Sequence, residues 1–161
     1  MSLTVELDRC RDFGDIFELV KKAVSETLGK RRVGLMLYLA DLPPSVGAYH
    51  TVGSNVIVAN RRLLRRVSTS VESLTELNSY VFTILLHEYL HALGYLDEAH
   101  VRRMVHKISV EKFGEEHPTS RMSSGRLPLA PRRSLEIGND SAEEPVELVR
   151  DFDRSNQTYI T

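Results

Sequence analysis

Apolar and polar residues alternate over Leu3-Thr-Val-Glu-Leu7, the period of a half-buried strand. The spacing then changes. Phe13, Ile16, Phe17, Val20 and Val24 fall three and four apart, which predicts an amphipathic helix over 11–29 ending at Gly29. Val33-Gly-Leu-Met-Leu-Tyr-Leu-Ala40 is almost unbroken in apolar character and reads as a strand covered on both faces. The paired prolines and the glycine of Asp41-Leu-Pro-Pro-Ser-Val-Gly47 make a loop. Two short strands, 48–52 and 54–59, are expected to meet at Gly53, and Asn60 suits the N-cap of a short basic helix over 61–66. A longer helix over 71–94 follows, with Glu72 and Glu76 near its positive end. Apolar residues on almost every face of its middle mark it as the buried helix of the domain. Val101, Met104, Val105 and Ile108 form one stripe of a further helix over 98–113.

These elements predict an α+β fold over residues 1–114. A small mixed sheet from 3–7, 33–40, 48–52 and 54–59 would pack against helices 11–29 and 71–94. From Glu115 the character changes: Pro, Ser, Gly and Arg dominate to Arg133, and a mostly acidic stretch runs on to Asp153. Residues 115–161 therefore read as a regulatory or flexible C-terminal tail without a strong core signal, with a short helix as one reading of 146–152.

Composition narrows the function. A chain of 161 residues with 42% hydrophobic and 27% charged residues can bury one core, and its net charge of −1 gives no global grip on nucleic acid or anionic membranes. Cys10 is the single cysteine, so no internal disulfide forms and a reducing compartment is expected. Glu6 and Asp8 interrupt the N-terminal segment where a signal peptide would stay apolar, and no apolar run reaches membrane-spanning length. The expected location is cytoplasmic, with no membrane partner.

The chemistry is carried by His87-Glu88-Tyr89-Leu90-His91. Two histidines four apart on a helix project from one face and can hold one tetrahedral ion through neutral imidazoles. Glu88, rotated by about a hundred degrees from His87, reaches a water at the ion without being a ligand and so suits a general base. Gly94 lies three residues after His91 and Asp97 six after; the whole pattern arises by chance about twice in ten thousand such chains. Gly94 ends the helix and turns the chain back, which would bring Asp97 to the metal as third ligand. Asp97 also fits the N-cap of the following helix, and Glu98 or His100 are rival third ligands, with an outer-sphere role as another reading of Glu98.

The stretch His87-Glu-Tyr-Leu-His91-Ala-Leu-Gly94-Tyr-Leu-Asp97-Glu98 resembles the extended zinc motif of the metzincin branch of zincin metallopeptidases. In its Asp third ligand it is similar to the small minimal zincin families. The resemblance implies a zincin-like fold around a central zinc-binding helix, Zn2+ as cofactor, and hydrolysis of peptide bonds in a peptide or protein substrate. It assigns metal binding to His87, His91 and Asp97 and catalysis to Glu88. The motif departs from that pattern in having no methionine turn, since Met104 falls in a helix and Met122 in an irregular segment.

Other readings stand beside this one. A family of small zinc-dependent endoribonucleases has a similar helix with glycine in place of Glu88, and Gly94-Tyr95 together with the basic runs 30–32 and 61–66 echo it. Glu88 favours the peptidase over nucleic acid. A non-catalytic zinc module is the third class. Segment 54–59 could be an edge strand that receives a substrate peptide or an ordinary core strand. Tyr49, His50, Tyr89 and Tyr95 are candidates for stabilising an oxyanion, although such residues more often serve core or surface.

Overall fold

The computed structural model describes residues 2–125 and 144–154. Helix α1 (Leu3–Asp8) opens the chain where a strand was expected. The alternation of Leu3, Val5 and Leu7 is compatible with both periods, because residues four apart also share a helical face. Two local contacts decide for the helix. Ser2 caps it by accepting the Val5 amide, and the buried side chains of Leu3, Leu7 and Cys10 continue one helical stripe. Asn78 fastens the far end by donating to the carbonyls of Leu7 and Cys10 at 2.9 and 3.1 Å.

Helix α2 (Phe13–Leu28) is capped by Asp12 and stops at Gly29, whose φ of 66° is left-handed. The first strand, β1 (Met36–Ala40), starts later than its apolar run because Gly34 turns at φ 87°. The hairpin of β2 (Ala48–His50) and β3 (Val56–Asn60) turns through Gly53, as its spacing suggested. Asn60 caps α3 (Arg61–Ser70) as expected and does more. Its fully buried amide group donates to the carbonyls of Leu42, Pro43 and Val46, so the proline loop is stapled to the end of β3.

Helix α4 (Leu74–Ala92) is the buried centre. Ser73 caps it, and from Asn78 to Leu90 only His87 is not fully buried. Asp97 caps α5 (Glu98–Phe113), which buries Val101, Val105 and Ile108. A short α6 (Pro118–Ser123) packs against α4 and α5.

The sheet is mixed, in the order β2-β3-β1-β4. β1 and β3 run parallel in the middle, and β2 is the outer strand, antiparallel to β3. Segment 54–59 therefore lies inside the sheet, and its hairpin partner 48–50 holds the edge. The fourth strand, β4 (Glu147–Leu148), pairs antiparallel with β1 and replaces the short helix expected over 146–152. The expected tail falls partly outside the described residues, at 126–143 and 155–161. The rest of it is joined to the core. Phe152 is 3% exposed and stacks on Phe17 at 4.1 Å, and Asp153 takes the Lys21 ammonium at 2.7 Å. Gly14 makes room for this segment, since a Cβ there would meet the Asp151 carbonyl oxygen at 2.5 Å. Among the described residues the architecture is thus α+β, six helices around a four-stranded mixed sheet, and no helix is long and apolar enough to cross a membrane.

Candidate metal centre

The last turn of α4 places His87 and His91 on one face, with ring centroids 5.0 Å apart. Two contacts close the helix behind them. Gly94 takes φ 108°, a value that side-chain-bearing residues rarely adopt, and the Tyr95 amide reaches back to the Leu90 carbonyl at 3.2 Å. Arg32 donates to the Ala92 carbonyl at 2.6 Å and to Ser54 at 3.0 Å, tying the helix end to the β2–β3 hairpin. The chain then turns into α5.

His87, Glu88 and His91 bring their ligand atoms within 4.8 Å of one another, a group that could hold a metal ion. A second carboxylate meets the imidazoles from α5, and it belongs to Glu98. Its oxygens lie 2.6 Å from His87 Nε2 and 3.2 Å from His91 Nε2. Asp97 is engaged elsewhere: its carboxylate accepts the His100 amide at 3.1 Å as the N-cap of α5. Asp97 thus serves as the cap of α5, and the carboxylate in contact with both imidazoles is that of Glu98. His100 packs edge-on to the Tyr95 ring at 5.9 Å.

The hydrogen bonds of His91 carry chemical information. Its Nδ1 lies 2.8 Å from the Tyr95 carbonyl oxygen, which can only accept, so Nδ1 holds the proton. In the neutral ring, Nε2 then points a lone pair at a Glu98 oxygen 3.2 Å away. Two acceptors face each other unless a positive charge lies between them. A second proton would supply it, and so would a metal ion. Two ligand atoms of one tetrahedral zinc-sized ion lie about 3.3 Å apart. The His91–Glu98 separation is close to this, whereas the 2.6 Å His87–Glu98 contact is that of a hydrogen bond and would have to open to admit the ion. The donor set of two imidazoles and one carboxylate, with one imidazole fixed by a backbone carbonyl, therefore fits a metal ion.

The charges agree with this picture. Burial holds the His87 imidazole below its ordinary pKa, against the opposing pull of Glu98. Burial also acts to raise the Glu98 carboxyl, but the two imidazoles and Arg102 outweigh it and keep Glu98 ionised. Glu88 is different: it is 5% exposed, and burial pushes its carboxyl up to about 7. A buried carboxyl that titrates near neutrality is suited to taking and returning a proton.

A cleft of about 560 Å3 opens beside these groups. Ser45, Val46 and Gly47, held by Asn60, form one wall with Ala48 of the edge strand; α4, α5 and the end of α6 form the others. None of the oxyanion candidates lines it. Tyr49 is exposed, His50 bonds to Ser54, Tyr89 is buried against Arg32, and Tyr95 offers its backbone to His91. Arg102 of α5 does line it, and no sequence signal singled it out.

Three arginines of the basic runs, Arg32, Arg61 and Arg65, are engaged within the fold. Arg61 is buried against Asp41 and the carbonyls of Glu144 and Pro145, and Arg65 pairs with Glu144 through two bonds of 2.9 Å. Cys10 is a buried thiol pushed up to about 12 by burial and the nearby acids, which leaves it inert. No protein-family model, curated protein or solved structure matches the chain.

Proposed function

We propose that the chain is a zinc-dependent metallopeptidase of zincin type, in which His87, His91 and Glu98 hold Zn2+ and Glu88 is the general base. The observation that carries this reading is the convergence of two imidazole nitrogens on the Glu98 carboxylate beside buried Glu88. Zinc, when bound, supplies a Lewis acid that lowers the pKa of water and polarises a carbonyl. Glu88, with a pKa of about 7, accepts the proton of the attacking water and returns it to the leaving amine. The Tyr95 carbonyl holds His91 in the tautomer that leaves Nε2 free to coordinate.

The cleft favours hydrolysis over a purely structural site, because a structural ion needs no open space beside it. The outer position of β2 favours an extended peptide, whose backbone can pair with that edge as a further strand. The alternative of RNA cleavage loses support, because Arg61, Arg65 and Arg32 are engaged within the fold. The test is cleavage of a peptide library by the zinc-loaded protein and its Glu88→Gln variant. The variant should keep zinc and lose roughly 10²- to 10⁴-fold in rate. Full activity in zinc-bound Glu88→Gln refutes the assignment.

A further inference from the structure

Glu98, Arg102 and Val105 stand at i, i+4 and i+7 of α5 and all line the cleft. At the 1.5 Å rise of a helix they step about 6 and then about 10 Å away from the Glu98 position. Along that line the chemistry changes from a carboxylate against the histidines, to a guanidinium, to an apolar surface. Ile84 of α4 and Met122 of α6 also line the cleft with apolar side chains.

Among the described residues that line the cleft, Arg102 is the only Lys or Arg. Its ion pair with Glu98 is a loose one, through Nε at 3.5 Å, and its side chain is 73% exposed. A guanidinium paired only loosely through Nε can offer its terminal nitrogens as a two-pronged donor for a planar carboxylate. From a scissile carbonyl carbon to the carboxylate carbon of the next residue is only about 3–4 Å by covalent geometry. With the contact of the carbonyl at one end and a hydrogen bond of about 2.8 Å to the guanidinium at the other, one terminal residue covers the step of about 6 Å to Arg102.

We infer that Arg102 is a specificity-determining residue that binds the α-carboxylate of a peptide's last residue, whose apolar side chain enters the space between Ile84, Val105 and Met122. This rests on the peptidase reading and narrows it to release of a single C-terminal residue: the bond before that residue is hydrolysed, water supplying OH to the new carboxyl terminus and H to the freed amine.

The test uses the full-length zinc-loaded protein carrying Glu88→Gln, so that binding is read without cleavage. Three fluorescein-labelled pentapeptides serve as probes: one ending in Leu with a free carboxylate, the same peptide as its C-terminal amide, and an amide with an internal Glu. The free carboxylate should bind about tenfold tighter than either amide, the discrimination expected of a charge-assisted bond at a partly exposed site. Adding Arg102→Gln should reduce that ratio to less than twofold with the circular dichroism unchanged. The inference is overturned by equal binding of acid and amide, by an internal Glu that substitutes for the terminus, or by a preference that survives Arg102→Gln. Cleavage by protein with Glu88 intact separates the two ideas. Cutting of amides and acids alike leaves the peptidase reading standing and removes this one; carboxylate-dependent binding without any cutting does the reverse.

Discussion

Replacing Glu88 with Gln in metal-free protein should stabilise the fold at high pH and leave it almost unchanged at low pH. Glu88 is 5% exposed, and burial raises its carboxyl from 4.5 to about 7. The folded chain therefore binds this proton more tightly than the unfolded chain. The stability it contributes is complete below about pH 4.5 and is lost as the pH climbs through about 7. At about 1.4 kcal/mol per pKa unit, the buried carboxylate costs about 3 kcal/mol above pH 8 and less than about 1 kcal/mol at pH 5. Glutamine has the shape of the protonated acid and no charge to lose. Urea unfolding of both proteins with a chelator present, at pH 5 and pH 8.5, measures the gap directly. In thermal melts at pH 8.5 it should appear as roughly 6–12 °C in favour of Glu88→Gln. A gap that does not grow with pH would mean that Glu88 is solvated or ionised in the fold, and the general-base assignment would lose its physical basis.

Other outcomes follow from the packing. Phe152→Ala removes a ring that stacks on Phe17 and should cost about 3–5 kcal/mol in urea unfolding; a neutral effect would mean that the 144–154 segment does not belong to the core. Lys21→Met removes the ammonium that lies 2.7 Å from the buried Asp153 carboxylate. The remaining bonds from the Gly34 and Leu35 amides soften the loss, so about 3 kcal/mol is expected, and an unchanged denaturation midpoint contradicts the pairing.

How far the sequence was legible varied with the length of the pattern. Helices of four turns or more, α2, α4 and α5, carried enough periodic positions to be placed to within about three residues at each end, and Asn60, Asp97 and Gly29 acted as the caps their chemistry suggests. Short segments gave no such redundancy. Leu3 and Leu7 satisfy strand and helix periods alike, and only the Ser2 cap and the packing against α4 separate them. A two-residue strand such as β4 has no period at all, and Phe152 is one aromatic in an acidic stretch.

At the site, the histidine pair and Glu88 were legible because their geometry is internal to one helix. The group that meets them from the next helix was legible only as one of three alternatives, Asp97, Glu98 or His100. Asp97 and Glu98 are neighbours on opposite sides of a helix start, and the competition between capping the His100 amide and facing the imidazoles is decided by the turn at Gly94. Arg102 depends on the same placement of α5 and had no local signature.

If His87, His91 and Glu98 form the metal centre, zinc affinity separates three proteins. Competition against a fluorescent chelator should be measured for the wild type, Glu98→Gln and Asp97→Asn. Asparagine can still cap α5, so folding is preserved in that variant. The account predicts tight binding by wild type and by Asp97→Asn, within about threefold of each other. It predicts a loss of more than about a hundredfold for Glu98→Gln, beyond the roughly 10- to 100-fold that an outer-sphere partner costs. Equal losses in the two variants, or a loss confined to Asp97→Asn, would contradict it.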